Sequence, residues 1–162
     1  MPIASRCDTQ TGLVIDVYDG EVSFPEWREH IGGLLDDPSW LATTRSLSDL
    51  STVRLEPLSD DDRVSMLSLF EARNVRVRGR RMAIVAGSVW GTAKDVERTA
   101  IARLHARPIV FSNVVTACVW LGVDELLVKT AIGELRGTLH DPDSAVEPGG
   151  TLPFSDLHPG SA

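Results

Sequence analysis

Residues 12–18 (GLVIDVY) alternate and are rich in β-branched side chains, the pattern of a half-buried strand. Residues 3–7 can pair with it through the Asp8-Thr9-Gln10-Thr11 turn as an N-terminal hairpin, and Asp19-Gly20 closes the strand. Ser23 and Glu26 then form a capping-box signature with Pro25 in the first turn. The helix that follows carries Trp27, Ile31, Leu34 and Leu35 at helical spacing and stops near Asp37-Pro38. Residues 45–50 form a short strand.

Ser59 is an N-cap for a second helix, because Asp60, Asp61 and Asp62 all fall where a helix dipole favours negative charge. Val64, Met66, Leu67 and Phe70 supply its expected buried face. Residues 80–86 (RRMAIVA) run almost continuously apolar after their arginines, as a strand covered on both faces does. A third helix is expected over 92–105, with Val96, Ala100 and Leu104 as its stripe, then a strand at 109–111 and a short helix at 114–121. Strand and helix in that rhythm demand a mixed, mainly parallel sheet of about five strands with helices packed on it. The chain is expected to divide into an α/β domain over 1–122, an additional amphipathic helix over 123–140 and a Pro/Gly-rich tail over 141–162. Val128, Ile132, Leu135 and Leu139 make a narrow apolar seam on the extra helix. Either the parent domain or a second copy of the chain must cover that seam, and a homodimer is the expected solution.

Composition narrows the function classes. At 162 residues, 43% hydrophobic and 24% charged, the chain can bury a core. Its net charge of −7 argues against a nucleic-acid-binding surface. The 16 basic residues are all arginine except Lys94 and Lys129. Cys7 and Cys118 have no CxxC spacing, so neither a disulfide framework nor a zinc site is signalled, and a reducing, cytoplasmic setting is expected. Residues 1–8 lack the basic and apolar segments of a signal peptide, and no apolar run is long enough to span a bilayer.

Three short segments carry a family resemblance. Residues 108–124 (PIVFSNVVTACVWLGVD), 81–87 (RMAIVAG) and 47–51 (LSDLS) resemble the SpoIIAA-like family of the STAS superfamily, related in shape to the Sec14 lipid-binding domain. The resemblance implies a non-enzymatic regulatory domain that acts through protein–protein contact. The Sec14 similarity implies the alternative, a carrier or sensor of a small apolar ligand held between helices and sheet. Anti-sigma-factor antagonists of this superfamily are phosphorylated on a serine about nine residues past the strand-ending Asp. Ser59 is the corresponding possible phosphosite, but the glycine of that motif is absent and three aspartates follow, which would repel a phosphate.

No catalytic motif emerges. Gly87-Ser88-Val89-Trp90-Gly91-Thr92 joins strand to helix without the lysine of a phosphate-binding loop. The four histidines show no metal-ligand pairing, no GxSxG elbow occurs, and Cys118 sits on an apolar helix face. No cofactor is expected. The carboxyl ends of parallel strands are the natural place for a ligand, which nominates Asp49, Ser51, Ser88, Trp90, Ser112 and Asn113. Five arginines between Arg73 and Arg81 form a basic cluster, read first as a solvated helix-to-strand connection and second as a docking patch for an acidic partner. Trp120 is expected to be buried.

Overall fold

The computed structural model describes residues 2–73, 77–104 and 106–141, and the tail expected beyond them lies outside the described residues. Five strands form one sheet whose spatial order repeats the chain order: β1 (Ile3–Asp8), β2 (Leu13–Val22), β3 (Arg45–Leu55), β4 (Arg81–Ala86) and β5 (Arg107–Phe111). β1 is antiparallel to β2, and β2 through β5 run parallel. Parallel neighbours need a crossover, and each connection advances one strand in the same direction. With one handedness available, the crossover helices fall on a single face. These helices are α1 (Phe24–Asp36), the short α2 (Pro38–Leu41), α3 (Asp60–Glu71) and α4 (Trp90–Leu104). The opposite face receives α5 (Val114–Leu121) and α6 (Glu125–His140).

Local chemistry sets these boundaries. Ser23 and Glu26 close a complete capping box at α1. Asp37 ends that helix and caps α2 through the Ser39 amide, so Pro38 opens a new turn that places Trp40 in the core. Ser59 caps α3, with Asp62 completing the box. Ser59→Ala should therefore lower stability by about 1 kcal/mol in a urea titration, while Ser59→Asp should stay within about 0.5 kcal/mol of wild type. A phosphate on Ser59 would displace the hydroxyl that bonds Asp62 at 2.7 Å and stand against that carboxylate.

The α5/α6 face is sealed. Leu47, Ala83 and Val85 from the central strands are at most 1% exposed, beneath Ala117, Cys118 and Leu121 of α5. The seam of α6 is covered by the chain's own sheet: Val128, Ile132 and Leu135 are buried in that core and Leu139 packs at its edge. Of the two surfaces open to the seam, the parent domain is the one it uses. Polar contacts fasten α6 to three strands: the ion pairs Arg6–Glu134 and Arg136–Asp49, each at 2.7 Å, and the contact of His140 Nε2 with Asp19 Oδ2 at 2.7 Å. Arg45 ties the two ends together, donating from Nη1 to the carbonyls of Leu121 (3.2 Å) and Gly122 (3.1 Å).

Three expectations need correction. Val64 is 63% exposed, because α3 lies against α1 and α4 with Met66 as its buried residue. Trp120 is half-buried, flanked by Phe111 at 5.7 Å and Arg81 at 6.0 Å. The arginine cluster is dispersed: Arg73 forms a two-pronged pair with Asp36, Arg80 is buried over Trp40, Arg78 and Arg81 face solvent, and Arg76 lies outside the described residues.

Candidate functional site

The crossover-helix face of the sheet is hollow. Side chains alternate along a strand, so Ser48 and Leu50 of β3 and Met82 and Ile84 of β4 point beneath α1, α3 and α4. These central-strand residues are only half-buried, although three helices lie over them. Between them and the helices is a cavity of about 150 Å³. Its helix wall is mostly apolar, with Trp27 and Ile31 from α1, Met66 and Phe70 from α3, and Val96 and Ala100 from α4, where Thr92 and Thr99 add hydroxyls on the side toward the outer cleft. The cavity continues outward between α3 and α4 into a cleft of about 400 Å³, and Leu58, Met66, Leu67, Thr92, Val96 and Thr99 border both spaces. Arg63, Asp95 and Arg98 stand at the outer rim.

A polar row crosses the sheet beside this cavity. Ser5, Asp16 and Ser48 are register partners on β1, β2 and β3 and share the crossover-helix face. Asp16 is 2% exposed. Its Oδ1 accepts from Ser5 Oγ at 2.5 Å and its Oδ2 from Ser48 Oγ at 3.4 Å. His30 on α1 brings Nε2 to 2.8 Å from Ser5 Oγ and 3.6 Å from Asp16 Oδ1. Because the Ser5 proton goes to Asp16, His30 is assigned the tautomer that donates from Nε2 to Ser5. That order differs from a nucleophilic relay, in which histidine stands between serine and carboxylate and engages each with a different ring nitrogen. Here one nitrogen faces both, so the row anchors α1 to the sheet. Tyr18, next on the same face, has its pKa raised well above the usual phenol value by burial and then by the Asp16 charge. Burial, assisted by Asp16 and Asp37, pushes the Cys7 thiol up to about 12, and burial also raises Cys118. Both thiols stay protonated at neutral pH, which removes the thiolate form a nucleophile needs.

The six nominated residues at the strand ends occupy a different region, and none lines the cavity. Asp49 and Ser51 are brought together by Arg136, whose Nη2 donates to Asp49 Oδ2 at 2.7 Å and Ser51 Oγ at 2.9 Å. Gly87 passes so near that a Cβ there would lie 2.6 Å from the Ser51 carbonyl oxygen, which explains a glycine at this position. Ser88 contacts the Val53 carbonyl at 3.5 Å, and Trp90 stands over Lys94 with 39% of its surface exposed. Ser112 and Asn113 sit at the end of β5, where Asn113 caps α5 through the Thr116 amide. Sequence reasoning missed Ser5, Asp16, His30 and Ser48. The available signal was Asp16, a carboxylate in the middle of an otherwise apolar strand.

Among the described residues, no group of three or more histidine, cysteine and acidic side chains could hold a metal ion, and no helix is long and apolar enough to cross a membrane. No protein-family model matches the chain, and no curated protein matches it.

Proposed function

We propose that this chain is a non-catalytic binding domain that carries or senses a small apolar molecule in the cavity between the sheet and α1, α3 and α4. The observation that carries this reading is the contrast between the two faces of the same strands. Leu47, Ala83 and Val85 are at most 1% exposed on one face, while Ser48, Leu50, Met82 and Ile84 remain half-buried under helices on the other. Close packing is the default for protein interiors, and an apolar void forfeits dispersion contacts along its lining. A ligand restores those contacts. The protonated thiols and the reversed order of Ser5, Asp16 and His30 support a reading without a chemical step. The Sec14 similarity fits this function, as does a cytoplasmic setting for two free thiols.

A second reading, docking to a partner protein or another copy of the chain, is favoured by the outer surface of α5 and α6. Val119 and Leu126 are 78% and 74% exposed there, with Val115 on the same helix as Val119. Neither reading excludes the other.

The cavity reading is tested by filling the space. Ala100 borders the cavity, and Ala100→Leu should occupy it. Wild-type protein should bind toluene in isothermal titration calorimetry, with a negative heat-capacity change. The variant should lose that binding while its stability rises by about 0.5–2 kcal/mol, the usual gain from filling a cavity. Wild type that binds no small hydrocarbon, or a variant that binds as well as wild type, would refute the proposal.

A further inference from the structure

We infer that the molecule recognised by this cavity is a single aromatic ring bearing one hydrogen-bond donor, a phenol-type ligand whose hydroxyl donates to Ser48. The inference rests on the cavity reading above and adds the class of ligand. Size comes first, since a mostly apolar cavity of about 150 Å³ accommodates a molecule the size of benzene. The walls come second. Tyr18, Phe24, Trp27 and Phe70 all border the cavity. Phe24 stacks on Trp27 at 5.6 Å, and Trp27 meets Phe70 edge-on at 6.1 Å. Aromatic rings favour such offset and edge-to-face neighbours, so a ligand ring extends an arrangement already present.

Third, the sheet wall supplies the polar group. On the sheet wall, the polar side chains bordering the cavity are Ser48 and Tyr18, among Leu50, Met82, Ile84 and Pro108. Ser48 Oγ lies 3.4 Å from Asp16 Oδ2, a long contact in which the hydroxyl proton is assigned toward the carboxylate, and Asp16 is itself held by Ser5. The lone pairs of Ser48 Oγ are then available to the cavity, and the carboxylate behind it makes that oxygen a better acceptor. A ligand O–H extends the chain from ligand to Ser48 to Asp16. A ligand with only acceptors competes with Asp16 for this proton. An anionic ligand brings a second negative charge toward Asp16 in a low-dielectric space.

Toluene and phenol have the same number of heavy atoms, so their ratio reports on the hydrogen bond. Calorimetry on the full chain at neutral pH, with toluene, phenol and benzoate as probes, tests the inference. Phenol should bind at least as tightly as toluene, and benzoate should bind at least tenfold more weakly than phenol. In Ser48→Ala, phenol should weaken by roughly three- to tenfold while toluene is unchanged. Toluene tighter than phenol on wild type would overturn the inference, because an unpaired hydroxyl is penalised on transfer from water. That comparison needs no variant and stands even if Ser48→Ala fails to fold. Equal weakening of both probes in Ser48→Ala would also overturn it, as would benzoate binding as tightly as phenol. If toluene binds and phenol does not, the cavity reading survives without the inference; if neither binds, both are lost.

Discussion

A chain ending at Gly122 should fail to fold into a stable domain, and far-UV circular dichroism with a urea titration should show a non-cooperative or absent transition. α6 begins just beyond that point and lies across β1 and β2. Its buried Val128, Ile132 and Leu135 share a core with Leu13, Ile15 and Val17. At about 1.5–3 kcal/mol for each large apolar side chain, three such residues contribute roughly 5–9 kcal/mol. Typical domain stabilities are about 5–15 kcal/mol in total. The deletion also uncovers the strand residues beneath and removes the partners of Asp49, Glu134's partner Arg6 and Asp19. A truncated protein that unfolds cooperatively within about 1 kcal/mol of full length would show that α6 is an appendage. A milder version, Leu135→Ala, should cost about 2–5 kcal/mol by the same contacts.

The fate of α6 illustrates what the sequence made legible. Its apolar seam follows from helical spacing, and the expected bounds of 123–140 fall within two residues of the helix, which Asp124 caps. Which surface covers the seam depends on the path of the chain after β5, which spacing does not encode. β2 shows a different limit. Asp19-Gly20 reads as a turn, yet the strand continues to Val22 because Gly20 adopts φ 69°, beyond an irregularity in pairing between Val17 and Asp19. The parallel order was readable from element rhythm, since crossovers leave few alternatives. The cavity was not, because it arises from α3 packing against α1 and α4 without closing down on β3 and β4. Asp16 was visible as an anomaly in its strand, whereas its partners Ser5, Ser48 and His30 lie on three other elements and are joined to it only by register and helix placement.

Arg80→Ala should lower the stability of the full chain by about 2–4 kcal/mol, measured as a reduced urea midpoint with an unchanged slope. Arg80 is 6% exposed at the edge of β4, and its guanidinium lies 3.7 Å above the Trp40 ring. Nη1 donates to the carbonyls of Trp40 (3.3 Å) and Thr43, and Nη2 donates to Thr43 Oγ1 at 2.5 Å. Thr43 Oγ1 in turn donates to the Trp40 carbonyl at 2.6 Å, so one side chain organises the whole α2–β3 corner. The cost of this arrangement is visible in two places. Burial lowers the Arg80 pKa to about 10, and its Nε is buried without a hydrogen-bond partner. Removing the side chain relieves that desolvation but leaves the Thr43 and Trp40 acceptors short of a donor and opens a void over the indole. Two further variants separate these contributions. Arg80→Met keeps the packing on Trp40 and discards the charge, so it should recover part of the loss. Arg80→Lys keeps the charge but lacks the planar fork that reaches both Thr43 atoms, so it should remain closer to Ala than to wild type. Lysine restoring full stability would show that charge alone matters here, and an alanine variant within about 1 kcal/mol of wild type would show that the corner holds without Arg80.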